Sequence, residues 1–146
     1  MQRPVLVGEY EFTLDAKNRV AIPARLRSAF AEGLYVSRWY ENSIAGFAPE
    51  QFERYLAEQN ERAPELSSKG RAQRRFIAAG AMALKLDGQG RAMLPARLLA
   101  YAGITREVTI IGVRDHIELW DRAAWAKYVK TMEEGADATA DELAAS

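Results

Sequence analysis

The sequence predicts an α+β fold, mainly β, with short flanking helices and two related halves packed about a pseudo-twofold axis. Three observations predict it. A fourteen-residue motif occurs twice, 72 residues apart; polar and apolar residues alternate through Glu9–Leu14; and short β-branched and aromatic runs recur in the same order behind each copy of the motif.

The motif is Leu14-Asp-Ala-Lys-Asn-Arg-Val-Ala-Ile-Pro-Ala-Arg-Leu-Arg27 in the first copy and Leu86-Asp-Gly-Gln-Gly-Arg-Ala-Met-Leu-Pro-Ala-Arg-Leu-Leu99 in the second, with seven identities in fourteen positions. Allowing one inserted residue downstream, Ile44 meets Ile117, Phe47 meets Trp120, Phe52 meets Trp125 and Tyr55 meets Tyr128. Two copies are too few for a solenoid, which needs about three stacking units. A pair packed like the two chains of a symmetric dimer is expected instead.

Each element follows from local chemistry. The period-2 alternation of Glu9–Leu14 is that of a half-buried strand. Asp15-Ala-Lys-Asn18 supplies a tight turn, because Asp bonds its own backbone further on and Asn tolerates a left-handed conformation. Gly88 and Gly90 serve the same purpose in the second copy. Arg19–Ile22 is then the return strand of a hairpin. Pro23 suits the start of a short helix through Phe30, matched by Pro95 to about Ala102, which Gly103 ends. Leu34–Arg38 and Ser43–Phe47, with Val108–Gly112 and Ile117–Trp120, give each copy four strands. Closing helices are predicted from Pro49 to about Asn60 and from Asp121, a plausible N-cap, to about Met132. A basic helix from Ser67 to about Ala79 carries Lys69, Arg71, Arg74 and Arg75, as a solvated face or as part of a subunit contact, with direct DNA contact the weaker alternative. The chain thus divides into a first module (9–52), a helical connection (53–82), a second module (83–126) and an acidic tail (133–146).

The chain has 146 residues, no cysteine and a formal net charge of zero. Without cysteine there is no disulfide framework and no thiolate metal site, which suits a reducing cytoplasm. The few apolar residues near Met1 fall short of a signal peptide or a membrane span. Charge is unevenly distributed. Every charge after Met132 is acidic (Glu133, Glu134, Asp137, Asp141, Glu142), and without those five the chain carries 20 basic against 15 acidic residues. The tail is expected to be disordered, since it buries too little to offset its ordering entropy.

The candidate functional element is Asp-x-x-x-Arg at a hairpin: Asp15 with Arg19, and Asp87 with Arg91. A single occurrence would read as a turn aspartate in a local ion pair. Its duplication, with Pro-Ala-Arg-Leu at the same distance beyond, points further. Gly8-Glu-Tyr, Leu14-Asp-Ala-Lys-Asn-Arg-Val-Ala-Ile-Pro-Ala-Arg, Arg74-Arg-Phe, Gly80-Ala, Leu86-Asp-Gly-Gln-Gly-Arg, Ile111-Gly-Val and Glu118-Leu-Trp-Asp, in that order, resemble the MraZ family from residue 8 to about 130. The resemblance implies a swapped-hairpin AbrB-like β-barrel made by two SpoVT/AbrB-like modules and a homo-oligomeric ring of subunits. It also implies binding to short direct repeats in the promoter of the division and cell-wall operon that begins with the family's own gene. Asn18 stands where the family pattern has glycine.

A two-stranded ribbon fits the major groove, where a guanidinium bonds guanine O6 and N7 together. Each ribbon is therefore expected to thrust an arginine outward, with Arg19 the first choice for base contact. Lys17 and Arg25 suit phosphate contacts that fix register without reading sequence. Asp15 and Asp87 orient the arginines or cap the turns. Gln89 replaces the lysine in the second copy, which leaves Arg91 with less positive support, so the first hairpin is expected to dominate contact with double-stranded DNA.

Other signals are set aside. Gly88-Gln-Gly90-Arg91 lacks the ending of a phosphate loop and opens a strand. His116 has no second histidine or cysteine with which to hold a metal. Trp39, Trp120 and Trp125 suit the core or a subunit interface. No nucleophile stands beside a base, so no enzyme, cofactor or small-molecule substrate is expected, and no membrane partner. The competing reading is an oligomeric scaffold whose hairpins contact protein; the leading one is a cytoplasmic, nucleoid-associated regulator.

Overall fold

The computed structural model describes residues 5–62 and 64–146. Met1–Pro4, where a targeting segment would begin, and Ala63 of the helical connection lie outside the described residues. The strands are β1 (Glu9–Thr13), β2 (Arg19–Ala21), β3 (Leu34–Arg38), β4 (Ile44–Phe47), β5 (Met82–Leu84), β6 (Arg91–Met93), β7 (Glu107–Gly112) and β8 (Ile117–Asp121). The α-helices are α1 (Pro49–Arg62), α2 (Ser68–Ala78), α3 (Ala96–Ala102) and α4 (Arg122–Ala145).

Strand pairing reproduces the repeat as a pseudo-twofold axis. One antiparallel sheet runs β1-β7-β8-β4-β3-β5, and β2 pairs with β6 in a separate ribbon. Exchanging the copies reads the sheet order backwards and leaves it unchanged. The axis passes through two pairs of equivalent residues, Val20 with Ala92 in the ribbon and Ala45 with Glu118 between β4 and β8. β1 pairs with β7 and β5 with β3, so each copy lends its first strand to the other. The swap is therefore present. The sheet remains open at β1 and β5, however, so the strands do not close into one continuous barrel.

The α+β class holds, although helix accounts for 45% of residues against 26% for strand. α4 explains part of that balance. It was expected to stop near Met132 and leave a disordered tail, but the helix continues to Ala145. After Met132 the chain is rich in Ala and Glu, contains no proline and has one interior glycine, Gly135, so nothing stops the helix. Its start is as expected, with the Asp121 carboxylate accepting the Ala124 N–H at 3.0 Å. Ser67 caps α2 in the same manner, accepting from Gly70 N–H at 2.9 Å.

The helix predicted from Pro23 is shorter than expected. Only a 3-10 turn at Arg27–Phe30 forms, where the second copy has all of α3. The register makes Leu34 equivalent to Val108, so the first copy has two residues fewer between its proline and its third strand. That leaves too little chain for a full α-helix. In α3, Gly103 takes φ 66° and ends the helix in the left-handed conformation.

Val20, Ile22, Ile44, Val108, Ile110, Ile117 and Leu119 are fully buried along the axis, in one core drawn from both copies. Each such side chain contributes about 1.5–3 kcal/mol by leaving water. Neither half can fill that core alone. Two aromatic satellites flank it in pseudo-symmetric places: Trp39, Phe47 and Phe52 under α1 and α2, and Trp120 and Trp125 under α4. The three tryptophans are thus packing residues within the chain. Among the described residues no helix is long and apolar enough to cross a membrane.

Candidate nucleic-acid interface

The ribbon β2–β6 positions the duplicated motif. Successive side chains on a strand alternate between faces. Val20 and Ala92 point into the core, both with no exposed surface. Arg19, Ala21, Arg91 and Met93 therefore share the outward face, Arg19 opposite Met93 and Ala21 opposite Arg91. The turn of each copy forms as its residues predict. Asn18 N–H donates to the Asp15 carbonyl at 3.0 Å, and Asn18 adopts φ 59°, as Gly90 adopts φ 75° in the second copy. The local hairpin reading needs correction all the same. Asp15 N–H donates to the Arg19 carbonyl, but β2 takes β6 as its strand partner and β1 takes β7.

The outward face holds an ion-pair quartet. Asp15 Oδ1 accepts the backbone N–H groups of Lys17 and Arg19, both at 2.9 Å, and Oδ2 accepts Arg19 Nε at 2.7 Å. Asp87 repeats this with Gln89, Arg91 and Arg91 Nε, the last at 3.0 Å. The pairs then cross the axis: Arg91 Nη1 lies 3.5 Å from Asp15 Oδ2, and Arg19 Nη1 lies 4.0 Å from Asp87 Oδ2. The backbone hydrogen bond from Arg19 is the main cause holding the Asp15 carboxyl down at about 2, and that from Arg91 lowers Asp87 likewise. Both carboxylates are ionised across the physiological range.

The arginines therefore do not project freely. Their side chains keep 27% and 28% exposure, leaning sideways onto the aspartates. They still lie on the solvent face, and the Nη2 of each meets no protein acceptor among the described residues. Asp15 and Asp87 cap the turns and hold the guanidiniums by these hydrogen bonds. Lys17, Asn18, Gln89 and Arg25 are all exposed around this face or in the segment that leaves it.

Two features escaped the sequence reading. Met93 is 55% exposed opposite Arg19, an apolar residue that a core-facing strand pattern would have hidden. The second turn also has more positive support than Gln89 suggests. Arg27, Lys85, Asp87, Gly88 and Gly90 line one open depression beside it. Arg27 donates to the Ile22 carbonyl at 2.9 Å and lies where any Cβ on Gly90 would have to sit, 2.1 Å from Arg27 Nε. The motif alignment concealed this cation, because the second copy has Leu99 in the corresponding place.

Comparison with known proteins agrees with the repeat. A family model described as "MraZ protein, putative antitoxin-like" matches the chain twice, over residues 5–76 and 77–145. A protein of Kocuria rhizophila named "Transcriptional regulator MraZ" is 38% identical over 139 residues, covering 95% of this chain and 96% of its own length. Proteins of the same name from Mycobacterium ulcerans and Roseiflexus castenholzii are 38% and 35% identical, covering 94% and 96% of this chain and 96% and 97% of their own.

Proposed function

Because the chain belongs to the MraZ family, we propose that it is a sequence-specific DNA-binding transcriptional regulator acting through the outward face of the β2–β6 ribbon. The observation that carries this reading is the pair of arginines, one from each copy, brought to one solvent-facing surface across the pseudo-twofold axis. A two-stranded ribbon enters a major groove, and a guanidinium bonds the O6 and N7 of guanine bidentately.

Arg19 and Arg91 are the base-reading residues on this proposal, with Met93 placed for a thymine methyl. Lys17, Arg25 and Gln89 contact the phosphate backbone and set register, while Asn18 shapes the first turn. Asp15 and Asp87 hold the arginines. The residues act from two modules, 9–52 and 83–126, joined by a helical connection. The operator consists of short direct repeats upstream of the division and cell-wall operon, read by a homo-oligomeric ring on the nucleoid. One ribbon makes few contacts, and linked subunits on repeated half-sites supply the avidity.

A mobility-shift titration on the chain's own upstream region tests this reading. Native protein is expected to shift that fragment and to lose affinity steeply with added salt. Arg19→Ala is expected to keep its melting temperature and lose about 1–3 kcal/mol per engaged module. No salt-dependent shift, or an unchanged shift by Arg19→Ala, would instead favour a scaffold whose ribbons contact protein.

A further inference from the structure

Among the described residues two surfaces lack a partner, and they complement each other. The first is the distal half of α4. Residues 133–145 are exposed apart from half-buried Gly135, and no hydrogen bond or ion pair ties them to another element among the described residues. An isolated helix of that length is marginal in water. Met132, Ala136, Ala140 and Leu143 fall on one face of it, with Met132 40% and Leu143 71% exposed. Glu133 and Asp137 border that stripe on one side and Glu142 on the other, with no cation after Met132.

The second surface is an open groove of about 490 Å³ between α1 and α2, lined by Glu53, Leu56, Ala57, Asn60, Arg74 and Ala78. Arg71 and Arg75 fall on the same stripe of α2 as Arg74 and Ala78. Arg71 and Arg75 are exposed, and α2 contains no acidic residue to neutralise them. Arg74 is held by Glu65 at 2.7 Å, and Glu53 lies on the opposite, α1 wall. The groove thus has Leu56, Ala57 and Ala78 in its lining, and Arg71, which donates to the Glu65 carbonyl at 2.7 Å, and Arg75 lie along its α2 side.

Pseudo-symmetry adds an independent reason. α4 is the counterpart of α1, with Trp125 in the place of Phe52 and Tyr128 in the place of Tyr55. In the first copy α2 covers the aromatic cluster, contributing Ile77 and Phe76. Among the described residues the second cluster packs only against α4 itself, through Tyr128 and Val129.

We propose that the distal half of α4 docks into the α1–α2 groove of a second copy of this chain. The stripe from Met132 to Leu143 lies on Leu56, Ala57 and Ala78, and Glu133 and Asp137 face Arg71 and Arg75. This is helix-in-groove recognition. The two surfaces are different patches, so every copy gives a helix and takes one. Such head-to-tail contacts close into a ring when the rotation permits. The inference rests on the assembly part of the proposed function and names the contact that builds it.

Light scattering on full-length protein after size exclusion tests it. Native protein is expected to run as a multi-subunit species, and Arg71→Glu/Arg75→Glu and Glu133→Lys/Asp137→Lys are each expected to fall to a smaller mass with their melting temperatures kept. An equimolar mixture of the two charge-reversed proteins restores a mixed assembly. As a second readout, Ala78→Cys/Leu143→Cys, in a chain with no other cysteine, cross-links between chains with a bismaleimide. A native protein that is monomeric at every concentration overturns both the assembly and this contact. A native assembly that survives both charge reversals, or that gives no cross-link between chains, overturns this contact alone and leaves DNA binding to its own test.

Discussion

Arg91 reaches across the pseudo-twofold axis to place its Nη1 3.5 Å from Asp15 Oδ2 while its Nε stays 3.0 Å from Asp87. Each aspartate therefore faces the arginines of both copies, and the two guanidiniums behave as one unit rather than as separate probes. Ion pairs at this level of exposure hold geometry more than they stabilise the fold.

That coupling bears on specificity. On the proposed DNA contact, a carboxylate beside each guanidinium repels phosphate and penalises contact with backbone alone, whereas a guanine edge offers the paired acceptors that justify displacement. Asp15→Asn is expected to raise affinity for unrelated DNA several-fold and to lower the ratio between operator and unrelated sequence. Fluorescence anisotropy on both duplexes at matched salt reads the ratio. If affinity for the two duplexes changed by the same factor, the carboxylate would have no part in discrimination.

Asn18 carries a backbone cost that its counterpart avoids. It sits at φ 59°, where an L side chain is strained and asparagine is among the least penalised. Gly90 occupies the equivalent turn at φ 75° without a Cβ. Asn18→Gly is expected to stabilise the protein by up to about 1 kcal/mol, read as a higher urea midpoint at constant slope. Asn18→Ala should move the midpoint the other way.

Much of this fold was legible because its two copies check each other. Strand β3 follows from its run of β-branched and aromatic residues, α2 lies within the basic helix expected over 67–79, and the repeated Asp-x-x-x-Arg marks the turns. What stayed hidden depends on contacts far apart in sequence. The exchange of β1 and β5 between copies, and the crossing of Arg19 and Arg91 between aspartates, are set by packing about the axis. Local composition also misjudged α4, since a segment poor in apolar residues can still be rich in helix formers.

Gly112 marks where the N-terminal segment crosses β7. Its N–H donates to the Gly8 carbonyl at 2.9 Å, and a Cβ there would meet Val7 N at 2.3 Å and the Leu6 carbonyl carbon at 2.5 Å. These are backbone atoms, so no side-chain rotation relieves the clash. Gly112→Ala is expected to cost about 1–3 kcal/mol and to loosen the bridge between Leu6 and Arg114. Amide exchange at those two residues should accelerate more than at β4 and β8. Uniform acceleration throughout the sheet would mean that the crossing is not a local anchor.

His116 gives the fold a dependence on pH. Its ring stacks 4.8 Å from Phe47 and lies 5.1 Å from Trp39, while Nδ1 is 2.7 Å from Asp115 Oδ1 and Nε2 is 3.3 Å from Glu118 Oε2. Glu118 also accepts Trp120 Nε1 at 2.9 Å, so the imidazole ties the β7–β8 turn to both aromatic clusters. Burial lowers its pKa, but the hydrogen bonds to Glu118 and Asp115 outweigh burial, and the net shift is upward from 6.5. A raised folded-state value means that the native state binds the proton more tightly than the unfolded chain. The contribution is then complete below 6.5 and is lost as pH rises through the folded-state value. Thermal melts of native protein are expected to decline across that alkaline side of 6.5. His116→Gln, which keeps hydrogen-bonding capacity without a titrating proton, should flatten the decline and melt lower than native protein at pH values below 6.5. An equally steep decline in His116→Gln would place the titration on another group.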